Sequence, residues 1–255
     1  MLTANLAMVA GTLRIARMKL KQIRSVIGED TETAGRRKVA APVPEEEAAV
    51  PGTAARMLEI AERLFAEHGV EQVPLRQIVI ESGQRNRSAL HYHFGSREAL
   101  VSHLLNRRLH QINVIRHRYL DRLAAEGRDN DLHAVVECTI LPLADTVRDT
   151  DWGRHYLQVL AQTTFSPNLL KKGLVERDAV SALVRVRKLV FALCPGIPRE
   201  VMNLRLTWFN DTVVYSLAHW YRDQGRRGGE PPLAELIDCC AASLSAPVSS
   251  RVGRR

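Results

Sequence analysis

The chain has 255 residues, 45% of them hydrophobic, with a formal net charge of +8 and a pI near 9.7. That is enough apolar material for one large domain or two modest ones, and it excludes an intrinsically disordered chain. The basic balance favours a polyanionic partner, nucleic acid or an acidic membrane surface, without fixing a fold.

The charge is uneven. Residues 1–27 carry five Lys/Arg and no acids, residues 53–118 carry ten against six, and residues 119–255 carry 18 against 16. A DNA-binding surface is therefore to be sought in the N-terminal half, although Arg-rich composition also follows from a GC-rich genome. Cys138, Cys194, Cys239 and Cys240 show no CxxC spacing and read as thiols in a reducing compartment. No apolar run reaches the roughly 18–20 residues of a membrane span. The short apolar stretch Leu6–Leu13 precedes its basic residues, the reverse of a secretory signal. A cytoplasmic protein is expected.

In chain order, residues 1–27 can form a short basic amphipathic helix, with Leu13, Met18, Leu20 and Ile23 beside Arg14, Arg17, Lys19 and Arg24. It reads as an arm touching DNA phosphates, as a weak membrane-surface helix, or as an over-extended reading frame. Residues 28–52, with Pro42, Pro44, three Glu at 45–47 and Pro51-Gly52, read as a linker, making 1–52 a basic segment plus disordered linker.

From Thr53, a plausible N-cap, Ala54, Met57, Leu58, Ala61, Leu64 and Phe65 follow helical spacing, and Gly69 ends the helix. A second short helix is predicted from about Pro74 to Ser82 and is broken by Gly83; a third covers about Asn86 to Phe94. Ser96 is expected to cap a long fourth helix, whose stripe is Val101, Leu104, Leu105, Leu109, Ile112, Ile115, Tyr119 and Leu123. Further helices are expected at 131–148, 152–164, 174–193, 198–224 and 233–244. Strand-like alternation and internal repeats are absent, so the fold class is all-α.

Three short helices in about 42 residues, with Gly83 at the second turn, suit a helix-turn-helix. The third helix then offers Asn86, Arg87, Ser88, Ala89 and His91 to the major groove, where Arg pairs with guanine and Asn with adenine. Arg85, Tyr92, His93 and Arg97 are placed to meet phosphates at the groove edges, with Arg76 and Gln77 of the second helix beside them. The free N–H groups above Ser96 suit a phosphate as well.

Residues 56–100 resemble the N-terminal domain of TetR/AcrR-family regulators. The matching pieces are Ile60-Ala61-Glu62-Arg63-Leu64-Phe65-Ala66-Glu67-His68-Gly69, then Leu75-Arg76-Gln77-Ile78, Ser82-Gly83, and Leu90-His91-Tyr92-His93-Phe94-Gly95-Ser96-Arg97-Glu98-Ala99-Leu100. Val79 stands where the family usually has Ala, Pro74 replaces the usual Ser/Thr cap, and Gln84–Leu90 is one residue longer than the commonest pattern. His91 falls where the family most often has a phosphate-contacting Tyr, with Tyr92 beside it. The resemblance implies a DNA-binding head at 53–100 and a helical regulatory and dimerisation body at 101–245; residues 246–255 are expected to be a disordered tail. It further implies a homodimer on a palindromic operator, released when a small-molecule inducer binds the body.

Helix 198–224 carries two apolar stripes, Val201, Leu204, Trp208, Tyr215 and Ala218, and Leu206, Phe209, Val213, Leu217 and Trp220. A surface helix needs one, so this one is buried on both sides, either against a partner subunit or as the central helix of a monomer; Leu233–Ala242 can join it in a four-helix interface. Candidate ligand-binding groups are His155, Gln158, Gln162, Asn210 and Asp211. His103, His110 and His117 recur every seven residues, about 10 Å apart along a helix, too far to share one ion. His91 and His93, two apart, point to nearly opposite sides of a helix. No metal site, cofactor or catalytic constellation is expected: a Gly-rich phosphate loop, a nucleophile elbow and HExxH are all missing. The alternative to a regulator is a helical protein that does not bind DNA, a membrane-surface adaptor or an enzyme.

Overall fold

The computed structural model describes residues 51–86, 88–165, 175–223 and 230–248, and every regular element among them is helical. The expectations for residues 1–50 and for the tail beyond 248 lie outside these residues. The head is built from α1 (Pro51–His68), α2 (Leu75–Glu81) and α3 (Ala89–Phe94). α4 (Arg97–Ala125) leaves the head and runs through the body, which adds α5 (Leu132–Asp149), α6 (Gly153–Phe165), α7 (Ser181–Leu193), α8 (Arg199–Asp223) and α9 (Leu233–Ser245).

Boundaries differ from the sequence reading in three places. α1 begins at Pro51, inside the expected linker, so Thr53 lies in the first turn and is no cap. Proline suits that position because its missing N–H would be unsatisfied there anyway. α3 begins at Ala89, not Asn86, because the Asn86 side chain takes the Ser88 N–H at 2.9 Å, a local bond that competes with an earlier helical start. The segment expected as helix from 174 contains a 3-10 turn at Asp178–Val180 before α7. There Asn113 reaches across from α4, taking the Ala182 N–H at 2.9 Å and donating to the Asp178 carbonyl at 3.2 Å and the Ser181 hydroxyl at 2.9 Å.

Met57, Ala61, Leu64 and Phe65 of α1, Ile78 and Val79 of α2, and Leu90 and Phe94 of α3 are buried together with Leu100, Val101 and Leu104 of α4. Gly83 sits between α2 and α3 at φ +76°, with open space where a Cβ would go. Its backbone angle, and not a lack of space, is therefore what favours glycine there. Ser96 caps α4 as expected, its hydroxyl accepting from the Ala99 N–H at 3.1 Å. In the body, α5 keeps Pro142 in its interior, and α4 packs on α5, α6 on α8, and α5 on α9.

Gly153 does more than punctuate. A Cβ there would stand 2.3 Å from the Thr146 carbonyl oxygen, so only glycine lets α6 start this close to α5. Gly153→Ala is expected to destabilise the fold by about 1–3 kcal/mol, the usual cost of overpacking against backbone. Denaturant unfolding checks this; an unchanged midpoint would contradict the close approach.

Candidate nucleic-acid interface and the seam behind it

α3 stands on its two buried residues, Leu90 and Phe94, and exposes His91 and Tyr92. Tyr92 is 75% exposed, and Asn86, Ser88 and His91 are exposed beside it. Arg85 before the helix and Arg76 on α2 are also exposed. These six expected contacts are all exposed, on α2, on α3 or in the segment between them. Ala89 and His93 are partly buried, and the His93 ring lies edge-on to Tyr92 with centroids 5.3 Å apart. Arg87 lies outside the described residues.

Two expected DNA contacts brace the head internally. Arg97 donates to the Val70 carbonyl at 2.5 Å and lies over the Phe65 ring at 6.0 Å, holding the α1–α2 turn. Gln77 donates to Glu81 at 2.9 Å, and Arg63 of α1 reaches the same carboxylate at 2.5 Å. Those bonds from Gln77 and Arg63 hold the Glu81 carboxyl below its usual range and tie α2 to α1.

The candidate ligand groups are likewise mostly spent on the protein. Gln158 donates to the Ala218 carbonyl at 2.7 Å, and Asn210 to the Leu206 carbonyl at 2.8 Å. Asp211 is partly buried and engaged with a partner, and His155 lies partly buried within electrostatic reach of Glu62. Gln162 of α6 crosses to the head. Its Oε1 accepts the Val70 N–H at 2.8 Å and its Nε2 donates to the Phe65 carbonyl at 3.0 Å, bridging the last turn of α1 and the turn that follows it.

Gln162 belongs to a seam along which α6 packs on α1. At its centre Arg108 of α4, 4% exposed, meets Glu62 of α1, 3% exposed. Nε and Nη2 of Arg108 approach the carboxylate at 2.6–3.1 Å, Nη1 donates to Gln111 at 3.1 Å, and Trp152 stacks on the guanidinium at 4.1 Å. Burial pushes the Glu62 carboxyl up, and the Arg108 hydrogen bonds pull it back. Arg107–Glu59 at 3.2 Å is an exposed companion.

Deeper in the body, Arg116 is 5% exposed, and neither its Nε nor its Nη1 has a hydrogen-bond partner; the Tyr156 hydroxyl and Thr139 Oγ1 are in the same condition. The sequence reading passed over Glu62, Arg108 and Arg116. The available signal was helical register: Arg108, Ile112 and Arg116 share a face of α4, so two cations interrupt its apolar stripe. The three spaced histidines go to separate neighbours: His103 to the Phe94 ring, His110 to Glu176, His117 to Ser181 and Arg185.

If Gln162 fastens head to body, Gln162→Leu strands the Val70 N–H, while the Phe65 carbonyl keeps the Gly69 N–H at 3.0 Å. Amide exchange at Val70 should quicken while α5 and α9 keep their protection; unaltered exchange at Val70 would show that the turn does not depend on the body.

Residues 57–104 match the pattern described as bacterial regulatory proteins, tetR family, and residues 137–244 match that of a tetracyclin repressor-like C-terminal domain. The chain is also similar to the HTH-type transcriptional repressor AcnR of Corynebacterium efficiens, with 28% identity over 195 residues, 75% of this chain and 92% of that protein. With its all-helical head and body, this chain belongs to the TetR family and is a DNA-binding transcriptional regulator.

Proposed function

We propose that the chain is a homodimeric repressor, with a head at 53–100 reading a palindromic operator and a body at 101–245 that releases it on binding a small molecule. The observation that carries this reading is a set of exposed side chains on the head: a tyrosine, asparagine, serine and histidine on or just before α3, flanked by Arg76 and Arg85. Arginines at the edges suit phosphates, which set register and affinity, and the polar residues of α3 suit base edges. Of the His91–Tyr92 pair, Tyr92, 75% exposed, is the proposed phosphate contact. Arg87 completes the set as the proposed guanine reader. Arg97 and Gln77 support this surface from behind.

Dimerisation is supported by α8. Its inner stripe, Leu206, Phe209, Val213 and Leu217, is buried, whereas Trp208 and Tyr215 of the other stripe are each 55% exposed. Two aromatic residues two turns apart form a self-complementary apolar face suited to a two-fold interface. α9 lies against α8 and can share it. One head contacts few base pairs; two on a two-fold axis read half-sites a helical turn apart. None of the described helices is long and apolar enough to cross a membrane.

The test is selection of bound duplexes from random DNA by the purified full chain, repeated with head and interface variants. Tyr92→Ala and Arg87→Ala should each cost about 1–3 kcal/mol on the selected duplex, whereas Arg85→Ala should weaken all sequences alike and lower the salt slope by about one. Trp208→Glu combined with Tyr215→Glu should give a monomer by ultracentrifugation and lose palindrome preference. Salt-sensitive binding without any selected sequence would overturn the reading of α3.

A further inference from the structure

α4 carries two buried arginines two turns apart, and the protein treats them in opposite ways. Arg108 has a carboxylate, an amide oxygen and an indole face. Arg116, equally enclosed, has two nitrogens with no acceptor. The ionisable groups close enough to act on it are Tyr156 of α6 and Cys138 of α5, and neither is an anion at neutral pH: burial pushes the Tyr156 hydroxyl far up and the Cys138 thiol to about 11. Burial pulls Arg116 down to about 10, so it remains a cation at neutral pH. A buried cation without a counter-charge is costly, and burying polar groups unpaired is rare.

We propose that Arg116 and the Tyr156 hydroxyl form the polar end of an inducer site in the body, and that the ligand carries a single carboxylate on an apolar frame. This rests on the ligand-responsive reading above and names the chemistry of its site. One guanidinium balances one negative charge; a phosphate dianion would need a second cation. The Tyr156 hydroxyl, also without a partner, can donate to the second carboxylate oxygen. Thr139, next to Cys138, is a further free hydroxyl on the α5 side. One turn either side of Arg116 on the same face of α4, Ile112 and Leu120 are nearly fully buried, an apolar setting for the rest of the ligand.

The site is mechanically connected to the head. Tyr156 lies on α6 between Trp152, which stacks on Arg108, and Gln162, which holds the Phe65–Val70 turn. A carboxylate drawing α4 and α6 together at Arg116 and Tyr156 loads the helix that fastens the head.

The experiment uses the full chain with octanoate, benzoate and succinate as carboxylate probes, and octanol and benzyl alcohol as neutral counterparts. Thermal unfolding and release of the selected duplex are followed in the same samples. Octanoate or benzoate should raise the unfolding temperature saturably and the alcohols should not, because a ligand that binds only the folded state stabilises it by mass action. Succinate, with a second charge, should bind more weakly. Arg116→Met should lose the carboxylate shift and, without ligand, unfold no earlier than the parent chain, since it removes an unpaired charge. Tyr156→Phe, which keeps its ring in the core, should bind the carboxylate about tenfold more weakly.

Equal shifts by octanoate and octanol, no shift by any carboxylate, or an Arg116→Met variant that is less stable yet keeps the shift would each overturn the site. Carboxylate binding through Arg116 without duplex release would leave the site standing and defeat the regulatory reading. Duplex release by an alcohol that persists in Arg116→Met would do the reverse.

Discussion

Glu62 and Arg108 meet in an apolar seam where neither would be tolerated alone. Taking a carboxylate and a guanidinium out of water costs several kcal/mol each, and only near-ideal geometry returns that cost. Here the carboxylate receives both Nε and Nη2, the remaining nitrogen reaches Gln111, and Trp152 covers the cation. Such a pair adds little net stability compared with apolar residues, but it is demanding in position. α1, α4 and α6 must approach in one register or a charge is left unpaired. The orientation of the head on the body follows from that demand, and Gln162 repeats it at the other end of the seam by satisfying both the Phe65 carbonyl and the Val70 N–H.

The proposed release by a ligand in the body requires a head that does not swivel independently. If the α1–α2 turn were held only by its own chain, a change in the body would dissipate in the linker region. With Arg97 holding the Val70 carbonyl from α4 and Gln162 holding its N–H from α6, the turn leading to the reading helices is gripped by two body-spanning helices at once. Displacement of either has a direct route to α2 and α3. The exposed end of α3 can then be small, a handful of polar side chains, because its placement is determined by the buried structure behind it.

Much of this was legible in the sequence. The helix spans, the Gly83 turn, the Ser96 cap and the separation of head from body follow from periodicity and turn chemistry, and the block around Leu90–Leu100 carried the family resemblance. The misplaced starts of α1 and α3 have local causes: proline tolerated in a first turn, and an asparagine whose side chain takes the Ser88 N–H ahead of the helix. The candidate ligand groups fared less well for a general reason. Polar residues such as Gln158, Gln162 and Asn210 look available when read along one helix, but their partners, Ala218, Val70 and Leu206, are backbone atoms that no pattern of side chains reveals. Conversely, Arg108 and Arg116 were visible as charges on an apolar stripe, but only three-dimensional packing separates the satisfied one from the unsatisfied one.

The central claim is that head and body form one cooperative unit through the α1–α6 seam. Calorimetric unfolding of the full chain tests it most directly, with the calorimetric enthalpy compared with the van't Hoff value at several protein concentrations. A single transition in which head and body unfold together is the predicted result. A separate low-temperature transition belonging to the head alone would contradict it, and would mean that the buried pair joins two domains without coupling them.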